Sequence, residues 1–311
     1  MRYVIKLLFL FMLSGNLLSA QTIIDLKPGG GVRAKTSDDY IREDAALAKR
    51  IREDSLAYND CLKRALNALH RDSIDTAEKL FQKALELRPG APSNYIVKHY
   101  LGRISMARMD YESASRQFSK ILKERPLDRE VRLDRASCYY ELNNLRQALD
   151  DCQTILASEQ NDEVRQQALF LRSAIYRKNR QADLAKSDLE EILRNNPNNT
   201  SAQLLIPLCL EDLGQPREAL NRMNLFVAAH PEEAAGWVAR AELEMRQNQP
   251  NAARADYDKA IQLSPNDPML YIGRAKVLIS LQHMGSARKD LNQAVALGIP
   301  QKQLADLYDK L

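Results

Sequence analysis

Apolar and polar positions recur along this chain with a long period, and one alanine sets the register. Ala77, Ala114, Ala148, Ala185, Ala219, Ala253 and Ala287 lie 37, 34, 37, 34, 34 and 34 residues apart. Four positions after each stands Phe81, Phe118, Cys152, Leu189, Met223, Tyr257 or Leu291, and seven after stands Ala84, Ile121, Ile155, Ile192, Phe226, Ala260 or Ala294. Offsets of 0, 4 and 7 mark one face of an α-helix. Twelve after the alanine come Pro89, Pro126, Pro197, Pro231 and Pro265, with Gln160 and Ile299 in the other two units. Proline lacks an N–H and clashes with the turn behind it, so each of these prolines closes its helix.

A second helix precedes each of these. Twelve residues before the alanine stands a small side chain, Ala65, Gly102, Ala136, Ser173, Ala241 or Ala275, which lets two antiparallel helices approach closely. Pro207 takes that place in the fifth unit, and a proline inside a helix predicts a bend costing about 3 kcal/mol. Polar turns such as Asp72-Ser73 and Asn143-Asn144 join the two helices. The two 37-residue spacings predict three-residue insertions near Gly90-Ala91-Pro92 and Asn161-Asp162. Repeated hairpins of this kind bury their apolar faces on one another.

The pattern resembles the tetratricopeptide repeat family: a small residue in the first helix, alanine then an aromatic in the second, an apolar residue seven on and a closing proline. Leu101-Gly102 and Trp237 match the family's first helix, and Ala77-Phe81-Ala84-Pro89 and Ala253-Tyr257-Ala260-Pro265 follow its second helix closely. The resemblance covers residues 57–299, about seven repeats. It implies an all-α, right-handed superhelical solenoid of antiparallel helix pairs, with the first helices lining a concave groove. Carried onto this register, the groove candidates are His99, Arg103, Tyr140, Phe170, Arg177, Leu204 and Glu242, together with Leu66, Leu133, Leu208, Val238 and Met245. Tyr140 and Phe170 are the expected anchors of a peptide or partner helix, with Arg103 and Arg177 orienting it. Members of the family that hold acidic chaperone tails carry a lysine/asparagine/arginine clamp. The corresponding places here hold Leu62, Leu66, Tyr100, Glu130 and Asp134, so that clamp is absent.

A polar pattern shares the register. Asp151, Asp188, Asp256 and Asp290 follow their marker alanines by three residues, and Arg135, Arg172, Arg240 and Arg274 precede them by thirteen. Each repeat with this aspartate has this arginine. Repeats two and five lack both, with Leu101 and Gln117 in one and Ile206 and Arg222 in the other. The pairing predicts a ladder of bridges between the helices of a unit, worth up to about 1 kcal/mol each if exposed.

The ends differ from the array. Arg2 and Lys6, the apolar run from Leu7 to Leu13 and the stretch Leu18-Ser19-Ala20, which ends in small residues, form a signal peptide pattern over 1–20, with cleavage expected after Ala20. The alternative is an uncleaved anchor, for which the run is short. Residues 21–56 read as a flexible lead with Gly29-Gly30-Gly31, then a charged helix repeating Ile41-Arg42-Glu43-Asp44 as Ile51-Arg52-Glu53-Asp54. Residues 300–311 read as a capping helix, since the last repeat has no neighbour to cover it.

Composition narrows the function. The formal charge is +4, about +2 without Arg2 and Lys6, too balanced for a nucleic-acid footprint. Aromatics at 6% speak against a strand-rich fold. The triple glycine precedes no Lys-Ser/Thr pair, so it is no phosphate loop. Cys61, Cys138, Cys152 and Cys209 show no zinc spacing and read as small buried apolar groups, although Cys138 and Cys152 fall on the two helices of one repeat. His70, His99, His230 and His283 lie in different repeats without triad or metal spacing. No catalytic residue, cofactor, metal, small-molecule substrate or stable membrane span is therefore expected. The leading expectation is a non-enzymatic scaffold for protein or peptide partners in the periplasm of a Gram-negative bacterium. The alternatives are a lumenal chaperone-like module for unfolded clients and an accessory subunit of an envelope-biogenesis enzyme.

Overall fold

The computed structural model describes residues 38–158 and 163–311. The signal pattern, the glycine lead and the insertion at Asn161-Asp162 lie outside the described residues. The described residues are helical, without strand. They divide into two units, one ending at Pro126 and the other beginning at Leu127.

The first unit holds α1 (Asp38–His70), α2 (Ile74–Leu87), α3 (Asn94–Ala107) and α4 (Tyr111–Glu124). The second holds α5 (Arg129–Glu141), α6 (Leu145–Leu156), α7 (Glu163–Lys178), α8 (Ala182–Asn195), α9 (Thr200–Asp212), α10 (Pro216–Ala229), α11 (Ala234–Arg246), α12 (Pro250–Leu263), α13 (Pro268–Ser280) and α14 (Met284–Ala296). A 3-10 turn over Gln301–Leu304 and a short α15 (Ala305–Tyr308) follow. Helix α1 runs without interruption from the charged stretch into the first repeat.

The apolar register is the core. All seven marker alanines are fully buried, as are Phe81, Phe118, Cys152, Leu189, Met223 and Leu291 four residues on. A Cβ added to Gly102 would overlap the ring of Phe118, so only glycine lets α3 come this close to α4. In the second unit one apolar cluster joins repeats four to six, from Leu169 and Leu189 through Phe226 to Leu243. At the C-terminal end Leu304 packs with Ile272, Leu278 and Leu291, so the terminal segment covers the last hairpin.

Helix ends follow the prolines. Helices α2, α4, α8, α10 and α12 each stop two residues before the closing proline. The residue between is pushed out of helical geometry, as with Arg88 at φ −139° and ψ 74°, because the proline ring crowds the residue before it. The turn inside each hairpin is equally regular. Asp72, Met109, Asn143, Arg180, Gly214, Asn248 and Gln282, each five residues before its marker alanine, all have positive φ. The next amide donates back across the turn, as Asp110 N to Ser105 O at 2.9 Å and Gln181 N to Tyr176 O at 2.8 Å. This left-handed cap satisfies the carbonyls that the first helix leaves open.

Pro207 lies inside a continuous helix: α9 runs through it from Thr200 to Asp212, with the ring buried in the small-residue place of the repeat. One expectation changes. Leu133 is no groove residue. It is 3% exposed and packs with Ile155 and Ala168, because repeat three folds its neighbours over it.

Candidate functional site

The polar ladder forms as paired. Arg135 Nε and Nη2 donate to Asp151 at 2.8 and 2.7 Å, and Arg172 to Asp188 at 2.8 and 2.6 Å. Arg240 and Arg274 grip Asp256 and Asp290 in the same way, all four bonds between 2.7 and 2.8 Å. The four aspartates are no more than 5% exposed, so these are buried, bidentate pairs and not the exposed ones the sequence suggested. The hydrogen bond to Asp188 holds the Arg172 guanidinium more firmly charged than usual. An aromatic ring lies beside each arginine: Tyr139, Tyr176, Trp237 and Tyr271 at 5.0 to 5.8 Å. The later rungs also reach the preceding repeat, Arg240 to Asn224 Oδ1 at 3.0 Å and Arg274 to Asp258 Oδ1 at 2.6 Å. These arginines are committed to structure.

Repeat six adds a carboxyl to its rung. Glu244 is 6% exposed, its Oε1 lies 3.9 Å from Arg240 Nε, and its Oε2 is buried without a hydrogen-bond partner. Burial, reinforced by the charge of Asp256, pushes the Glu244 carboxyl up to about 7.

Three groove candidates belong to the first unit, and Leu66 packs there on the cluster of Ala65 and Phe81. His99 is half-buried with its ring edge-on to Phe118 at 5.6 Å, and Arg103 is half-buried on the same helix. The others lie in the second unit. Tyr140 is half-buried with the Lys178 ammonium 4.8 Å from its ring centre, and burial raises its hydroxyl above the usual range. Phe170 and Leu204 are half-buried on the cluster that joins repeats four to six, and Leu208 lies beside them. Val238, half-buried on α11, packs on a separate cluster with Ala241, Ala253 and Tyr257, as does Met245. Arg177 Nε donates to Asp212 at 2.8 Å, which ties α7 to α9. Glu242 is exposed, 4.0 Å from Arg246, and Arg246 in turn bonds Glu211 at 2.6 Å.

The structure thus brings Phe170, Leu204 and Leu208 together on one apolar cluster of successive first helices, while Val238 packs on the next cluster, with Ala241 and Tyr257. It turns Arg177 into an inter-repeat tie. Asp212 and Glu211 accept from arginines of the preceding and the following repeat, Arg177 and Arg246, and a register read within single repeats does not announce such ties. All four cysteines are buried free thiols. Burial drives the Cys209 thiol up to about 11 and those of Cys138 and Cys152 higher still, so they are inert as nucleophiles at neutral pH.

Three tetratricopeptide repeat family models match the chain, over residues 105–169, 167–199 and 210–268. The chain belongs to the tetratricopeptide repeat family. Among solved structures, a tetratricopeptide repeat protein of Parabacteroides merdae is 23% identical with a TM-score of 0.70, over 82% of this chain and 98% of that one. A thermophilic tetratricopeptide repeat protein of Thermus thermophilus is 24% identical with a TM-score of 0.50, over 60% of this chain and 99% of its own. A chain of the Cut9–Hcn1 hetero-tetramer of the APC/C is 15% identical with a TM-score of 0.53, over 80% of this chain and 55% of that one. At these identities the likeness is one of fold alone. No protein of curated function matches the chain. A tetratricopeptide repeat array is the architecture of a protein-interaction scaffold, and no helix among the described residues is long and apolar enough to cross a membrane.

Proposed function

We propose that this tetratricopeptide repeat protein is a non-enzymatic scaffold that binds a peptide or partner helix on the face of its first helices, in an extracytoplasmic compartment. The observation that carries this is the half-buried apolar group Phe170, Leu204 and Leu208, set on the first helices of two successive repeats of the second unit. A group left open on a folded core offers the pocketed apolar contacts that dominate binding energy. The charges beside it, Arg177 with Asp212 and Arg246 with Glu211, are already paired, so the face suits apolar side chains better than a charged tail. The periplasmic assignment rests on the signal pattern of residues 1–20.

The test is crosslinking and capture from the native envelope, comparing the natural chain with Phe170→Ser/Leu208→Ser. Both should show the same helical circular dichroism, and partners of the natural chain should be lost from the variant. Equal recovery of the same partners rejects the apolar face. Osmotic-shock fractionation and sequencing of the mature N-terminus test the compartment, and a cytoplasmic, uncleaved protein rejects it.

A further inference from the structure

The ladder has one position where its charge is reversed. Repeat two also lacks a rung, but it substitutes uncharged groups: Leu101 replaces the arginine, and Gln117, in place of the aspartate, bonds Ser105 Oγ at 3.2 Å. In repeat five the arginine place holds Ile206 and the aspartate place holds a second cation, Arg222. Nothing in its own repeat closes this rung.

The consequence is a surface hollow of about 410 Å³ between α8 and α10, lined by Ser187, Glu190, Leu193, Arg194, Ile206 and Arg222. It occupies the place of the missing bridge. Ile206 and Arg222 are the two rung positions of repeat five. Glu190 stands five residues after its marker alanine, where Asn224 and Asp258 serve as second acceptors for Arg240 and Arg274. Its floor is apolar, from buried Ile206 and half-buried Leu193. Leu225, 70% exposed, lies three residues after Arg222 on the same helix.

The cations of the hollow exceed its anions. Lys186 Nζ takes Glu190 at 2.9 Å. Among the described residues Arg222 has only Glu218, at 3.9 Å, one helical turn away and half-exposed. Arg194 is exposed and has no acidic partner among the described residues. A guanidinium fork in this setting favours a carboxylate that can take two of its donors together, as Asp256 does for Arg240.

From this we infer that the broken rung of repeat five is a second docking site, for an acidic side chain of a protein partner flanked by an apolar residue. The partner's carboxylate pairs with Arg222 and completes in trans the bridge that repeats three, four, six and seven make in cis. Its apolar neighbour covers Leu193, Ile206 and Leu225. The hollow opens between the second helices α8 and α10, with Ile206 of α9 at its floor, and none of Phe170, Leu204, Leu208 and Val238 lines it.

The test is selection of a random dodecapeptide phage library on the full chain, followed by affinity measurement of enriched peptides on variants. Enriched peptides should share an aspartate or glutamate beside an aliphatic or aromatic residue. Their affinity should fall about tenfold or more in Ile206→Arg/Arg222→Asp, which rebuilds the cis rung and fills the hollow. It should stay within about twofold in Phe170→Ser/Leu208→Ser, since neither residue lines the hollow. Arg222→Gln, an exposed change that cannot unfold the repeat, should lose the same binding and flatten its salt dependence. The proposal is overturned if selection enriches no acidic motif, if acid and amide forms of a peptide bind alike, or if binding survives both rung variants. Binding lost only in Phe170→Ser/Leu208→Ser overturns this site and supports the other.

Discussion

Arg172 and Asp188 meet as a two-pronged ion pair at 2.8 and 2.6 Å, with the aspartate only 4% exposed. The bridge joins α7 to α8 inside the fourth repeat, and its geometry recurs in repeats three, six and seven. Removing one partner strands a buried charge. Arg172→Ala should therefore cost about 3–5 kcal/mol in urea unfolding. Arg172→Lys should recover only part of this, since an ammonium cannot form two parallel bonds. Arg172→Met/Asp188→Leu should lie close to the natural chain, because an apolar pair of similar volume leaves no charge behind. A double variant as unstable as Arg172→Ala would show that the bridge contributes more than the burial of its own charges.

That ladder was legible in the sequence because both partners fall in the repeat register and vanish together. The core was legible for the same reason: Ala77, Phe81 and Ala84 recur as one helical face. Contacts between repeats were not. Asn224, Asp258, Asp212 and Arg246 contact side chains about one repeat or half a repeat away, and their identities change from unit to unit. Leu133 and Leu204 share a register position, yet one is core and the other half-exposed, which packing decides and pattern does not.

Glu244 makes stability depend on pH. Its folded carboxyl titrates near 7, above its ordinary value of 4.5, so the folded chain holds this proton more tightly than the unfolded one. The stabilisation is complete below the unfolded value and is lost as pH rises through about 7. Between about pH 5 and pH 8 the chain should lose up to about 3 kcal/mol from this group. Glu244→Gln keeps the shape and removes the titration, so its stability should change less over that interval. Parallel pH profiles for the two chains would assign the slope to another group.

The positive-φ turn position gives a prediction of opposite sign at two sites. Arg180, at φ 61°, is exposed, so its side chain contributes little packing to offset a left-handed backbone. Arg180→Gly should stabilise by about 0.5–1 kcal/mol, the difference between relief of that strain and the entropy of glycine. Gly214, at φ 73°, meets nothing within 4 Å of an added Cβ, so Gly214→Ala tests the backbone alone and should destabilise by about 1 kcal/mol. Urea midpoints that move in the same direction for both would mean the turn is not what they report.

Pro207 offers the sharpest test of the repeat register. Every other repeat places Ala, Gly or Ser at this position, where the two helices of the hairpin press together. The proline nitrogen cannot donate to the Gln203 carbonyl one turn back, and its ring crowds Ile206, which it disfavours in the helical conformation. Helix α9 nonetheless runs through it, with Pro207 and its neighbours Ile206, Cys209 and Leu210 buried. Pro207→Ala restores the missing bond and the small side chain of the family pattern while giving up some ring contact. The helical gain, about 3 kcal/mol at an unconstrained site, outweighs the few methylenes lost, at about 0.8 kcal/mol each. The variant should unfold at higher urea, with slower hydrogen exchange at the amides of Leu208, Cys209 and Leu210. A variant less stable than the natural chain would mean that the proline ring is a packing element of the fifth repeat, and that α9 is shaped to it.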